Sequence, residues 1–582
     1  MASSGLRRHA TLGCVTRAGS VRYLLMESQC IPYTRVPKSS ALLLDYLYHF
    51  DRVAQFYNGW PFDAEGYRRL AENVKGLTKN RAELAEILER QNKAFGCAEP
   101  TLANIRRLSD PATFAVVTGQ QVGLLSGPAF TLYKALTAVK LAQWLSEQGL
   151  PSVPVFWLAT EDHDLEEVAH TAVFDQEYNL VPLADTGEAP SPRSSVGYVK
   201  LTGQTTAALD RLEAALSEAR STGEDAEASK VLLQDLRATY RPGATWGHAF
   251  GGFMARLFSR WGVVLLDPLD ESIHRLAAPT YERAITRARE LRERLHARSQ
   301  QLIAAGYHAQ VRVGDDATLL FLARDGNRTA LHQRDDEFVL DGADRVSSAD
   351  RFSSTDLAAR IKSRPVDVSP NALLRPIVQD SLLPTVAYVA GPSELAYLAQ
   401  SHAIYAEFGR PMPVVFPRAA FTMMDRRTEK LLEKYRLSVA DVWQGEEHLN
   451  RKIAAAGFAE GWSERLDQSE QDLTRLLERL RGDVEKLDPT LLDTLQHAEE
   501  KMRYNMDRLR GKITRAALGR SELLARHAQS LLRFLAPRKE LQERETSGVY
   551  FLGRAGYELL DRLLDQIQVR CVDHQVVRYS DK

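Results

Sequence analysis

The sequence predicts an α/β protein: a mostly parallel sheet covered by helices, interrupted by two insertions and followed by an antiparallel α-helical coiled coil. Three observations predict it. Short apolar runs alternate with helix-length segments between residues 114 and 417. Two stretches break that alternation as insertions would, and a leucine stripe stepping by four and three begins at Leu473. At 582 residues the chain exceeds one hydrophobic core, and about 150 residues per domain implies roughly three or four units.

Residues 1–25 carry Arg7, Arg8, Arg17 and Arg22, and the first acidic residue is Glu27. The segment lacks the apolar run of a secretory signal and reads as a disordered arm or an over-extended gene start, with Met26 as the native start. From Ser40 to about Lys93 the pattern is helical. The first strand is FAVVT, Phe114 to Thr118, a run suited to burial on both faces and ended by Gly119. After the loop GQQVGLLSG, Pro128 suits the first turn of a helix. Tyr133, Leu136, Val139 and Lys140 continue that helix at steps of three and four, and Gly149 closes it. VPVFWLA then forms a second strand ending near Ala159. Strand, helix, strand is a βαβ unit with parallel strands. Further strands fall at 262–268, 384–392 and 413–417, with the helix SELAYLAQSHAIYAEFG between the last two.

The core is thereby divided into 26–175, 246–300 and 366–425. The first insertion, 176–245, is polar and contains the helical TAALDRLEAALSEA. The second, 301–365, contains YHAQVRV, TLLFLARDGNRTAL and DDEFVLDG, with Asp325-Gly326 as a hairpin turn, and predicts a small antiparallel β unit. A linker rich in Ser, Asp and Arg follows over about 346–370. The coiled coil spans 426–536: Leu473, Leu477, Leu480, Val484 and Leu487 precede Pro489, and Leu495, Met502, Met506, Leu509, Ile513 and Ala516 follow it. Residues 537–582 form a tail returning to the body.

Lys and Arg (75) balance Asp and Glu (76), so no global field marks nucleic acid or anionic lipid as a partner. No apolar stretch approaches the roughly 20 residues of a membrane helix, and a soluble chain is expected. Cys14, Cys30, Cys97 and Cys571 form no C-x-x-C pair, which argues against a disulfide framework or zinc site and for reduced thiols in a cytoplasm.

In a parallel sheet the ligand lies beyond the carboxyl ends of the strands. The first strand delivers Thr118, Gly119, Gln120 and Gln121, then Gly123, Ser126 and Gly127 at a helix start. Backbone N–H groups there would suit a phosphate or carboxylate, although the run has neither G-x-G-x-x-G nor G-x-x-x-x-G-K-[ST] form and equally fits a turn needing positive φ. Tyr133 and Lys134 lie one turn into that helix, and Lys134 could reach an anion. The second strand delivers Glu161, Asp162, His163 and Asp164. His163 between carboxylates reads as a general base of raised pKa or a metal ligand, and the plainer alternative is a helix cap with first-turn acids. His163 and His170 lack H-E-x-x-H spacing, so no metal is predicted. In the third cluster Arg375, Gln379 and Asp380 precede a strand, and Gly391, Ser393 and Glu394 follow it. Ser393 can cap the next helix, and Arg375 offers a fork for a carboxylate or phosphate unless it pairs with Asp380.

The runs VVTGQQVGLLSGPAFTLYKALTAVKLA, PVFWLATEDHDLEEV, LLRPIVQDSLLPTVAYVAGPSELAYLAQ and VVFPRAAFT resemble, in order, the cysteine-adding enzymes of bacillithiol biosynthesis, the BshC cysteine ligase family. The resemblance extends from about Met26 to the end of the chain. It implies a Rossmann-like core related to class I aminoacyl-tRNA synthetases, connecting insertions, and a coiled coil that makes a homodimer. It implies a reaction joining the carboxyl of cysteine to the amine of glucosaminyl malate, with small molecules rather than nucleic acid or membrane as partners. The chain has no H-I-G-H or K-M-S-K-S signature, so ATP or ADP as a cofactor stays open. On this basis Gly119, Gln120 and the following helix N-terminus are expected at malate or phosphate. Asp162 and His163 would orient and deprotonate the amine, and Arg375 or Lys134 would bind a carboxylate. A second nucleotide site is conceivable at Pro417, Arg418, Gln542, Arg544 and Tyr550, with a packing junction as the plainer alternative. Two rival readings are a metal-dependent hydrolase using Asp162, His163, Asp164 and His170, and a non-catalytic coiled-coil scaffold with a nucleotide-binding core.

Overall fold

Five apolar runs build one sheet: β1 (Phe114–Gln120), β2 (Ser152–Leu158), β3 (Val264–Leu266), β4 (Thr385–Ala390) and β5 (Val414–Pro417). The computed structural model describes residues 28–218, 223–341, 351–457, 462–519 and 521–579; the N-terminal arm with Cys14 lies outside them. All four strand pairings are parallel, in the order β3-β2-β1-β4-β5. Every residue of β2 and β4 is buried, which explains why their sequences are continuous apolar runs rather than alternating ones. The helices that serve this sheet include α1 (Phe130–Glu147) between β1 and β2, α2 (Arg375–Leu382) before β4, and α3 (Pro392–Tyr405) between β4 and β5. The chain moves outward from β1 through β2 to β3, then returns to the other side of β1 with β4. The sheet therefore has a topological switch between β1 and β4, where open α/β sheets bind ligands.

Several boundaries differ from the sequence expectation for physical reasons. β1 does not end at Gly119: Gly119 pairs with Trp157 and Gln120 with Leu158. A Cβ at Gly119 would sit 3.0 Å from the Trp157 carbonyl oxygen, so the glycine serves strand contact rather than a turn. The left-handed backbone lies further on, at Leu125, Ser126 and Gly127. Helix α1 begins two residues after Pro128, because Pro128 forms a β-bridge with Ser547 of the C-terminal segment.

Across the expected boundary between the core's first part and the first insertion, His170–Phe174 and Leu180–Ala184 form an antiparallel ribbon that the sequence reading missed, since Pro182 interrupts its second strand. The second insertion carries the antiparallel strands Ala317–Arg324, Asn327–Arg334 and Glu337–Leu340, extended by Arg351–Phe352 and Val368–Pro370. Asp325 and Gly326 both have positive φ, as a two-residue hairpin turn requires. YHAQVRV is not a strand; the Gln400 side chain takes both Val311 backbone groups in place of a neighbour. Nor is 354–363 linker: it is a helix, closed by a capping box in which Ser353 and Asp356 satisfy each other's backbone N–H. The rest of that linker up to residue 350 lies outside the described residues.

Helices α4 (Trp462–Leu487) and α5 (Leu492–Gly519) form the hairpin, turning at Asp488-Pro489, and α6 (Glu522–Leu535) leads back to the body. Leu477 is buried between the arms, whereas Leu480, Leu487, Met502 and Leu509 remain exposed. The last strand, His574–Arg578, lies between Ser28–Ile31, which it pairs antiparallel, and Phe421–Met424, which it pairs parallel. Among the described residues no helix is long and apolar enough to cross a membrane.

Candidate functional site

The carboxyl ends of β1, β2 and β4 open on one cavity of about 700 Å³ at the topological switch. Gly119, Gln120 and Gln121 reach it from β1, and Glu161, Asp162 and His163 from the turn after β2. Gly391, Ser393 and Glu394 come from the turn after β4, Lys134 from α1, and Arg375 from α2.

The floor is cationic. Lys134 is 3% exposed; its ammonium donates to Gly119 O at 2.9 Å and Gln120 Oε1 at 2.8 Å and pairs with Glu394. Burial lowers its pKa against the pull of Glu394. Glu394 is itself held by the Tyr388 hydroxyl at 2.7 Å and the Gly391 N–H at 2.7 Å. Arg375 does not pair with Asp380. It donates to Gln379 Oε1 at 2.9 Å and to the Tyr388 and Tyr397 hydroxyls at 3.1 and 3.2 Å, and it stacks over Trp157 and Tyr388. Asp380 is occupied by Tyr405 Oη at 2.6 Å and Gln379 Nε2 at 2.9 Å. Three of the five guanidinium N–H groups of Arg375 are thus spent on neutral partners, and no carboxylate is hydrogen-bonded to it. A desolvated fork of this kind is a receptor for a carboxylate or an oxyanion.

The opposite wall is acidic. Asp162 accepts from Gln121 Nε2 at 2.8 Å and from the His163 N–H at 2.7 Å. The His163 ring lies between two arginines, with Nδ1 3.2 Å from Arg328 and Nε2 3.3 Å from Arg193. Its pKa is therefore lowered, by burial first and Arg328 second, and the expected raised pKa is corrected. Asp164 caps the helix Leu165–Val168 through the Glu167 N–H at 3.1 Å, the plainer of its two expected roles. Glu161 is 6% exposed, and burial pushes its carboxyl up to about 7, Asp267 and Asp162 adding to the shift and Arg328 and Arg375 opposing it. Such a carboxyl takes up a proton on folding. Its contribution to stability is complete below its unfolded value of 4.5 and is lost as pH rises through about 7. Glu161→Gln should accordingly melt higher than the parent at pH 8 and equally with it at pH 4.5, a difference that thermal scans at the two pH values will read.

The glycine loop does not offer the expected anion cradle. The Ser126 N–H donates to Tyr240 Oη, Gly127 N–H to Leu124 O, and Ala129 N–H to Thr546 O, so the start of α1 is capped by the C-terminal segment. Thr118 bonds Val389 O, and Tyr133 packs edge-on against Phe421; neither lines the cavity. Gln379 and Asp380 support Arg375 and Tyr405 from behind. Ser393 does not cap α3: Gly391 is the N-cap, its N–H taken by Glu394, and Pro392 occupies the first turn. Gly127 lines a second cavity of about 780 Å³ that shares Gln120, Gln121, Phe130, Ser393 and Arg544 with the first.

At the conceivable nucleotide site the two segments meet in a packing junction, the plainer of the two expected readings. Arg418 forms a buried two-point ion pair with Glu543 (2.5 and 3.1 Å), and Gln542 is spent on Met423 and Phe534 backbone groups. Tyr550 is buried, and the crevice beside Pro417 holds only about 10 Å³. Arg418 and Arg544 instead face the main cavity. Sequence reasoning missed Trp157, Arg328, Asn371, Tyr388 and Tyr397 in its wall and Asp267 and His274 behind it. Tyr388 and Trp157 could have been marked as polar-tipped aromatics in apolar strands; Arg328 arrives from a hairpin with no local signal. Among the described residues no three His, Cys, Asp or Glu side chains converge as metal ligands would.

Comparison with known proteins agrees with this architecture. Residues 26–419 match the family model described as Bacillithiol biosynthesis BshC, N-terminal Rossmann-like domain, and residues 421–579 match its C-terminal coiled-coil domain. The chain is 36% identical over 552 residues to a protein of Solibacter usitatus named "Putative cysteine ligase BshC", covering 95% of this chain and 100% of that one. Proteins of the same name from Koribacter versatilis (36% over 556 residues, 95% and 100% covered) and Salinibacter ruber (34% over 538, 92% and 96%) are similarly related.

Proposed function

The chain belongs to the bacillithiol biosynthesis BshC family, and from that premise we propose that it is the ligase joining the carboxyl of cysteine to the amine of glucosaminyl malate. One observation carries the reading: a single cavity sets a desolvated, carboxylate-free guanidinium, Arg375, opposite a wall of proton acceptors. Amide formation needs both. The amine must lose a proton to attack, and the carbonyl oxygen gains negative charge as it does.

Arg375 binds the cysteine carboxyl and stabilises that charge. Trp157 and the Tyr388 and Tyr397 hydroxyls fix the guanidinium, so little reorganisation is needed when the charge appears. The acidic wall takes the proton from the amine. ATP, when bound, would supply an activated cysteinyl carboxyl. The spent N–H groups before α1 do not suit its phosphates; the exposed Arg544, on the wall shared by both cavities, does. The exposed leucine and methionine stripe of the hairpin supports pairing of two copies there. Leu480→Arg should then halve the mass measured by light scattering.

The test is direct. Purified protein incubated with cysteine, glucosaminyl malate and ATP should form bacillithiol and release AMP or ADP. Absence of bacillithiol with and without ATP would overturn the proposal.

A further inference from the structure

Within the ligase reading above, on which this rests, we infer that Glu161 is the base that deprotonates the acceptor amine and that His274 is the positioning residue behind it. Of the other acids and bases at the site, Glu394 is held by Lys134, Tyr388 and the Gly391 N–H, and Glu167 accepts from Gln121; the geometry disposes of three more. Both Asp162 oxygens are engaged, one by Gln121 and the other by the His163 and Asp164 N–H groups. Asp164 is spent on its helix cap. A neutral imidazole has one acceptor nitrogen. Since both nitrogens of His163 face an arginine, its lone pair is taken in either tautomer.

Glu161 differs. Its Oε1 is buried and has no hydrogen-bond partner, yet the residue lines the cavity. A buried carboxylate oxygen without a donor is costly, and a proton taken up by the carboxyl relieves that cost. His274 stands behind it, 2% exposed, with Nε2 3.6 Å from Oε1 and the Val368 backbone beside its ring. The spacing is that of an ion pair, but burial brings His274 down to about 4, so the imidazole is neutral at pH 7 and the contact is dipolar. Arg328 from the inserted sheet, Asp267 after β3, Arg375 on α2, Asp162 on the same turn, and Tyr198 and Tyr281 complete the charged and titratable surroundings of Glu161.

In the step, the ammonium gives one proton to the Glu161 carboxylate on the side that lines the cavity, and the freed lone pair attacks the carbonyl carbon of a cysteine activated as an acyl phosphate or acyl adenylate. The C–N bond forms, the C–O bond to phosphorus breaks, and the second amine proton leaves with the phosphate. Glu161 then returns its proton to solvent.

The experiment is a pH profile of kcat/KM with wild type, Glu161→Gln, His274→Leu and His274→Gln. The wild-type rate should fall tenfold per pH unit below about 7. Glu161→Gln should lower kcat at least about 100-fold and leave only the limb set by the amine's own ionisation. His274→Leu removes the polar ring beside the carboxyl, so its limb should move, and His274→Gln should move it back. A Glu161→Gln enzyme with wild-type rate and limb overturns the assignment of the base; an unmoved limb in His274→Leu overturns that of the positioning residue. The infrared C=O band of a protonated carboxyl gives a readout independent of turnover. It should titrate near pH 7 in wild type and be lost in Glu161→Gln, or shifted in Glu161→Asp should the glutamine variant not fold. If wild type forms no bacillithiol while this band titrates as stated, the ligase reading fails and the proton-accepting role of Glu161 stands; if no such band titrates, the inference fails alone.

Discussion

Arg375→Met is expected to lower kcat/KM for ligation by roughly 10³-fold with the fold intact. The guanidinium is buried against Trp157 and Tyr388 and hydrogen-bonded to three neutral groups, so its charge is directed into the cavity. Removing one partner of a desolvated charged contact costs about 2–5 kcal/mol, and each 1.4 kcal/mol is about tenfold in rate. Methionine keeps much of the apolar stem, so Trp157 and Tyr388 stay packed and the melting temperature should change little. Lysine should not rescue, because one ammonium cannot span Gln379 and the two phenols at once. Steady-state kinetics with each substrate varied would check this, and an Arg375→Met enzyme of near-normal kcat/KM would remove the guanidinium from the reaction.

Glu543→Ala should give the largest loss of stability, about 3–5 kcal/mol. Arg418 and Glu543 are 5% and 1% exposed at the side chain and form a two-point pair where the first domain meets the second. The same carboxylate accepts the Phe421 N–H at 3.1 Å, so truncation strands a buried guanidinium and a buried donor together. A chain of this size need not unfold in one step. The lowest-temperature calorimetric transition is the one expected to fall, with new proteolytic cleavage near residues 417–421. An unchanged first transition would show that the pair does not hold the junction. Because Arg418 also lines the cavity, the variant should lose substrate affinity before it loses helix content.

The sheet was legible in the sequence because its strands are buried on both faces: Val116, Val155 and Val389 have apolar neighbours on either side in the chain and in space. The turns after β1, β2 and β4 were legible because polar residues directly after such runs have few packing reasons to be there. The status of each group was not legible. The loop before α1 looks open until Thr546 and Tyr240, distant in the chain, use its N–H groups. His163 looks like a base until Arg328, 165 residues away, takes a ring nitrogen. Asp380 looks like a partner for Arg375 until Tyr405 claims it. Local patterning reports burial and turns; it does not report which far segment satisfies a donor.

The strand His574–Arg578, zipped between the two segments Ser28–Ile31 and Phe421–Met424, also sets a schedule for the ribosome. Ser28–Ile31 wait, unpaired, for His574–Arg578, and loop closure over that separation is slow. A chain lacking His574–Arg578 would carry two bare strand edges, a template for aggregation.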